Sequence, residues 1–161
     1  MKKLILVRHG KSSWEKPLED VERPLKERGY EDAEIIISAF KHYFEKPVKV
    51  YSSKAVRAAT TAKLFQKGLE IDDADFEIVD DLYTFDYERI LDFIRAQEDS
   101  IPQLMLFGHN PAFTALANEL GDQGINNVPT TGLVVIDFQV DSWQDVDYGK
   151  TLLTLFPKNF K

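Results

Sequence analysis

The stretch LILVRHG, residues 4–10, decides the fold that we predict for this chain. A short apolar run that ends in Arg8, His9 and Gly10 is typical of a buried strand. Such a strand carries a cation and an imidazole to one edge of a sheet. Gly10 allows the backbone to turn sharply at that edge or to approach a ligand closely.

Two later segments repeat this arrangement. The strand-like run at residues 48–51 leads to Arg57, and the run at residues 104–107 leads to His109. Ligands of an open α/β sheet bind outside the carboxyl ends of its strands. The sequence therefore predicts one pocket in which these two side chains meet the arginine and the histidine of the first strand.

Strand-like and helix-like segments alternate along the chain. Strands are predicted at residues 2–8, 48–52, 76–79, 103–108, 132–139 and 151–156, with the last two antiparallel. Helices are predicted from Lys26 to Pro47, from a cap at Ser53 to Gly68, after a cap at Asp86, and from a cap at Asn110, with Pro111 in the first turn, to Gly121. The first helix is expected to bury Ala33, Ile36, Ile37, Phe40 and Phe44. This alternation predicts one domain over residues 1–161, a three-layer α/β/α fold with a mainly parallel central sheet and helices on both faces.

Composition excludes several classes of function. The chain has 27 acidic and 20 basic residues and a net charge of −7, which disfavours binding to nucleic acid or to an anionic membrane. It has no cysteine, so disulfides, cysteine-ligated zinc and thiol catalysis are excluded. The apolar residues near the N-terminus are too few for a signal peptide or a membrane span. We therefore expect a cytoplasmic protein, and we expect no metal or organic cofactor because the sequence has no motif for either.

The residue types at the three strand ends suit a phosphoryl group. The guanidinium groups of Arg8 and Arg57 can hold several phosphate oxygens through forked hydrogen bonds. The imidazole of His9 is a competent nucleophile, and His109, at a predicted helix start, is suited to stabilise charge on the transferring group. Each residue alone would more often be structural. Together they favour a pocket for phosphate or another oxyanion.

Two segments near the predicted pocket give weaker indications of function than the strand ends do. Lys11 and Ser12 follow the first strand, and they either bind the substrate or form a solvated loop. Residues 126–132 are expected to approach the pocket, with no assigned role.

Three motifs in order resemble the histidine phosphatase superfamily, which includes the cofactor-dependent phosphoglycerate mutases. They lie at residues 6–10, 52–62 and 108–111. The resemblance implies a phosphoglycerate mutase-like fold, with His9 as the nucleophile that becomes phosphohistidine and with Arg8, Arg57 and His109 in the phosphate pocket. Residues 11–14 and 20–29 are similar to the SixA branch, the phosphohistidine phosphatases, in which Arg23, Pro24, Leu25 and Gly29 are interpreted as mainly structural.

One departure from the superfamily pattern is informative. Many members have a Glu or Asp acid shortly after the third strand, where this chain has Thr84. An alkoxide leaving group needs a proton in the transition state, whereas an imidazole, with a conjugate-acid pKa near 6.5, leaves without a dedicated acid. Four acidic residues remain candidates for an acid that folds into the pocket: Asp86, Glu88, Glu15 and Asp20.

Three hypotheses follow. The leading one is a phosphohistidine phosphatase acting in signal transduction on a phosphoprotein, such as a His-phosphotransfer domain, or on a small phosphoramidate. The enzyme alternative is a phosphomonoesterase for a small phosphorylated metabolite. The non-enzyme alternative is a phosphate-sensing or phosphoprotein-binding module.

Overall fold

A six-stranded mixed sheet organises the chain in a computed structural model that describes residues 1–161. The strands are β1 (Lys2–Arg8), β2 (Lys49–Ser53), β3 (Phe76–Val79), β4 (Gln103–Gly108), β5 (Leu133–Phe138) and β6 (Lys150–Leu155). Their order is β3-β2-β4-β1-β5-β6. The first four strands in this order are parallel, and β5 and β6 are antiparallel to their neighbours. The predicted mainly parallel sheet is therefore confirmed.

Helices cover both faces of this sheet. They are α1 (Glu27–Phe40), α2 (Val56–Gly68), α3 (Tyr87–Arg95) and α4 (Ala112–Leu120). Along β1, Leu4 and Leu6 pack into the core under α3 and α4, whereas Ile5 and Val7 pack into the core under α1 and α2. The side chains of a central strand alternate between the two faces, so both faces are buried and three layers result. None of the four helices is long and apolar enough to span a membrane.

The first helix is shorter than predicted. It ends at Phe40, not near Pro47, and Phe44 lies beyond its last turn. The intervening residues 41–43 are exposed. Phe44 still packs on Phe40, with ring centroids 5.6 Å apart, because the chain makes one more turn in which the Phe44 amide donates to the Phe40 carbonyl at 3.1 Å.

Two predicted helix caps are displaced. The residue at the N-cap of α2 is Ala55, and Ser53 belongs to β2. At α4 the N-cap is Pro111, and the Oδ1 atom of Asn110 accepts a hydrogen bond from the Thr114 amide at 3.1 Å. The predicted cap at Asp86 is confirmed, since its carboxylate accepts from the Glu88 amide at 3.0 Å.

The strand register brings the predicted functional segments to one edge. Arg8 lies opposite Gly108 in the parallel pair of β1 and β4. The His9 amide then donates to the Gly108 carbonyl at 3.1 Å. The two histidines follow these strand ends directly, so they emerge side by side.

We predict that Gly108→Ala destabilises the protein by about 1–3 kcal/mol, the usual cost of overpacking. A methyl group at Gly108 would lie 2.7 Å from the ring of Phe113, which is fully buried and has no room to withdraw. Urea denaturation measures the change. Gly124→Ala is the matched control, because nothing lies within 4 Å of the added methyl group there. Equal stability of the two variants would contradict this packing.

Candidate active site

His9 directly follows β1, and its side chain is buried. Its Nδ1 atom lies 2.7 Å from the carbonyl oxygen of Gly10. A carbonyl oxygen only accepts hydrogen bonds, so Nδ1 carries the proton and Nε2 keeps its lone pair. The ring is thus oriented with a nucleophilic nitrogen free.

The surroundings of His9 keep it neutral. Burial lowers the pKa of its imidazole to about 3, and the hydrogen bond to Gly10 opposes this only in part. The neighbouring His109 and the positive charges of Arg57 and Arg8 lower the pKa further. A neutral ring is the form that can attack phosphorus.

His109 lies beside His9, with ring centroids 5.2 Å apart. The Arg57 guanidinium donates to its Nδ1 atom at 3.4 Å, so the proton is on Nε2, which donates to the Ser53 hydroxyl at 2.7 Å. Burial lowers the pKa of His109 to about 4, with Arg57 acting in the same direction and Asp20 against it. Both histidines are therefore neutral at pH 7.

The two arginines give the pocket its positive charge. Arg8 donates through NH1 to the carbonyl oxygen of Val128 at 3.1 Å. Burial and the positive charge of Arg57 both lower the pKa of Arg8. The Nε atoms of both arginines are buried without a hydrogen-bond partner. Such donors suit an anion. The structure has no cluster of three or more His, Cys, Asp or Glu side chains that could hold a metal ion.

Gly10 is required for close packing. Its φ angle is not positive, so the sharp turn expected there is not the reason for a glycine. A methyl group at Gly10 would lie 3.1–3.3 Å from Leu25, Thr131 and Gly29. The Gly10 amide donates to the Thr61 hydroxyl at 3.0 Å, and that hydroxyl donates to the Arg57 carbonyl at 2.7 Å. Thr61 thus ties the end of β1 to α2.

Residues 126–132 also form hydrogen bonds to the end of β1. The amide of Thr131 donates to the carbonyl oxygens of Arg8 and His9, at 3.0 and 3.1 Å. The Val128 carbonyl accepts from Asn110 at 2.9 Å as well as from Arg8. The segment that had no assigned role therefore positions the backbone around both histidines.

Asp20 is the one candidate acid that contacts the pocket. Its Oδ2 atom accepts from Arg57 at 2.9 Å and from the Tyr83 hydroxyl at 2.8 Å, and its Oδ1 atom accepts from Arg23 at 3.0 Å. Partial burial raises the pKa of Asp20, but the hydrogen bonds from Tyr83 and Arg57 outweigh it and lower the pKa to about 2. Asp20 is therefore a carboxylate at neutral pH.

The other acids lie elsewhere. Asp86 caps α3, and the hydroxyl of Thr84 accepts from the Asp86 amide at 3.0 Å. Glu15 and Glu88 are exposed or half-exposed and form no salt bridge with a pocket residue.

Lys11 and Ser12 differ in their surroundings. The Lys11 side chain is exposed, whereas the Ser12 hydroxyl is buried and accepts a hydrogen bond from Arg23. A role for either in binding substrate stays a prediction. Arg23 also donates to Asp20 at 3.0 Å.

Sequence reasoning missed three partners of the predicted site. Ser53 was interpreted as a helix cap, and Thr61 and Tyr83 had no signal of their own beyond lying in or near recognised segments. The ring of Tyr83 meets the ring of His109 edge to face, with centroids 5.4 Å apart. Hydrogen-bond and ring contacts of this kind can be identified only in the folded structure, where distant segments lie next to each other.

Comparison with known proteins gives the same picture. The profile of the histidine phosphatase superfamily (branch 1) matches residues 4–92. An uncharacterized protein of Mycobacterium leprae (strain TN) is 27% identical over 163 residues, which cover 93% of this chain and 98% of the relative.

Solved structures agree over nearly the whole chain. A protein from Agrobacterium tumefaciens assigned as phosphohistidine phosphatase SixA has a TM-score of 0.79 and 28% identity, covering 96% of this chain and 97% of that one. The protein histidine phosphatase SixA in complex with tungstate has a TM-score of 0.84 at 18% identity, covering 99% of each chain. This chain therefore belongs to the histidine phosphatase superfamily and is a phosphatase with a histidine nucleophile.

Proposed function

We propose that this enzyme hydrolyses phosphohistidine in a phosphoprotein, or a small phosphoramidate, through a phosphorylated His9. The observation that carries the proposal is the hydrogen bonding of Asp20, the one acid at the pocket. Its carboxylate oxygens accept from Arg57, Tyr83 and Arg23. These donors stabilise the ionised form and lower the pKa to about 2, so Asp20 has no proton to give to an alkoxide.

The first chemical step uses the lone pair of His9. Nε2 attacks the phosphorus, and the P–N bond of the substrate breaks with its electron pair moving to the departing nitrogen. The positive charge that develops on His9 is stabilised because Nδ1 donates to Gly10. Arg8 and Arg57 hold the oxygens of the transferring group, whose charge they offset.

The second step releases phosphate. A water oxygen attacks the phosphorus of phospho-His9, and the P–Nε2 bond breaks with its electron pair returning to the ring. One water proton passes to solvent, and the neutral histidine is restored. The two arginines serve both steps, since the same oxygens carry charge in each, and His109 accepts a hydrogen bond from Arg57 and so helps to orient it.

The leaving group distinguishes phosphohistidine from a phosphate ester. An imidazole departs as a neutral molecule, whereas an alkoxide must be protonated as it leaves. Tyr83 is not a substitute acid, because its hydroxyl donates its proton to the Asp20 carboxylate at 2.8 Å and not toward a leaving group. The pocket thus favours cleavage of a P–N bond.

The surroundings of the mouth favour a protein substrate. The indole of Trp14 is largely exposed and covers the guanidinium of Arg23, which lies 3.2 Å from the ring centroid. Phe85, two residues beyond Tyr83, is also largely exposed. Exposed aromatic side chains are enriched where proteins bind one another, and a phosphoprotein would cover both of them. The resemblance to SixA proteins supports the same class of substrate.

The main test compares phosphate release from a phosphohistidine protein with release from a panel of phosphomonoesters. We expect the wild type to prefer phosphohistidine, and His9→Ala to lower its turnover by at least about 10³-fold, as loss of other covalent nucleophiles does.

His42→Ala is the matched control, because His42 is exposed and outside the pocket. Circular dichroism verifies that each variant is folded. Normal turnover by folded His9→Ala would overturn the mechanism. A His9-dependent preference for one monoester would favour the metabolite phosphatase, and binding without turnover would favour the sensor.

A second prediction concerns pH and stability. In the unfolded chain His9 takes up its proton near pH 6.5, but in the folded protein only near pH 3. Between these values the unfolded state binds more protons, so the free energy of unfolding falls as the pH falls. From pH 7 to pH 5 we expect His9→Gln to lose about 2 kcal/mol less than the wild type. Urea denaturation at both pH values measures this, and equal losses would show that His9 is not held neutral.

A further inference from the structure

Asp20 lies at the mouth of the pocket, above more deeply buried groups. Its side chain is 45% exposed, whereas His9, Arg57 and His109 are 8%, 4% and 2% exposed. In an in-line displacement the leaving group departs opposite the nucleophile. Because His9 is buried, the leaving group departs toward solvent, on the side where the half-exposed Asp20 carboxylate contacts Arg57.

A carboxylate in this place works against phosphate binding. It carries the same sign of charge as the substrate and occupies one hydrogen-bonding nitrogen of Arg57. The backbone carbonyl of Asp20 also accepts from Arg57 at 2.6 Å, so Arg57 keeps a contact with this residue when the carboxylate is replaced. The position of this carboxylate therefore indicates that Asp20 has a function other than binding phosphate.

Two further side chains fix the carboxylate in position. Tyr83 donates to Oδ2, and Arg23 donates to Oδ1. Arg23 is itself restrained by Ser12, by the Ser13 carbonyl and by the ring of Trp14. Each carboxylate oxygen can accept two hydrogen bonds, so Oδ1 keeps capacity for one more donor.

We propose that Asp20 accepts a hydrogen bond from the N–H of a departing nitrogen base, and so selects phosphoryl groups carried on nitrogen over those carried on an alcohol. This inference rests on the proposed function and names the part of the substrate that is recognised. The bases in question are those that keep an N–H when they leave, with imidazole as the leading case.

The atoms and charges of the step balance. A phosphoimidazole that is protonated on its second ring nitrogen presents a cationic N–H to Asp20. Nε2 of His9 bonds to phosphorus, the P–N electron pair moves to the departing ring, and that ring leaves neutral with its N–H retained. The positive charge passes to phospho-His9. An ester offers no such N–H, and its departing oxygen gains negative charge beside the carboxylate, which repels it.

The experiment measures kcat/KM of the wild type, Asp20→Asn and Asp20→Ala on N-linked and O-linked substrates. The N-linked substrates are N-phosphoimidazole and a phosphohistidine peptide, and the O-linked ones are p-nitrophenyl phosphate and glycerol phosphate. We expect both variants to lose about tenfold or more on the N-linked substrates, the value of one charge-assisted hydrogen bond. Activity on p-nitrophenyl phosphate should stay the same or rise. Glu88→Gln is the control, because it removes an acid that contacts no pocket residue.

Binding of inorganic phosphate, measured by calorimetry, separates recognition from a positioning role. Removal of an anion next to Arg57 should leave phosphate binding as tight or make it tighter. Weaker phosphate binding, together with an equal loss on all substrates, would mean that Asp20 only orients Arg57, and would overturn the inference.

The remaining outcomes are distinguishable. If the wild type prefers N-linked substrates and the Asp20 variants keep the same preference, the inference fails and the proposed function holds. If the wild type has no such preference, the proposed function itself fails. A selective loss on glycerol phosphate would make Asp20 a general acid, and would overturn both.

Discussion

The parallel pairing of β1 with β4 is the constraint on which the rest of the site depends. It sets Arg8 opposite Gly108, and so two histidines that are 100 positions apart in the sequence emerge next to each other. A slip of one residue would turn Leu4 and Leu6 to the opposite face of the sheet and bury the wrong side chains. The apolar pattern of β1 therefore determines the position of the edge where the two histidines lie, as well as that of the core.

Charge is distributed unevenly between the pocket and the rest of the molecule. The chain is acidic as a whole, yet Arg8 and Arg57 lie close together beside two buried imidazoles. Burial without a bound anion makes the protonated form of these rings costly, so the histidines give up their protons. The carboxylate of Asp20 offsets part of the remaining positive charge.

The sheet, its four helices and the four main pocket residues could be predicted from the sequence, because apolar runs and the residues after them are local features. The hydrogen bonds that orient these residues could not. Tyr83 is 63 positions from Asp20, and no local pattern relates the two. The contact of Ser53 with His109 could not be predicted either. The Ser53 hydroxyl accepts from the Ala55 amide at the start of α2 and also bonds to His109. The N-caps of α2 and α4 were predicted at Ser53 and Asn110, before their true positions, because tertiary contacts of this kind compete with capping.

The position of β1 between β4 and β5 has a consequence for the timing of folding. The neighbours of β1 come from residues 103–108 and 133–138, about 100 positions or more later in the chain. Contacts of such long sequence separation form slowly. During synthesis this apolar strand therefore precedes its partners by about 100 residues, and the pocket is completed only after Thr131 has emerged and bonded to the end of β1.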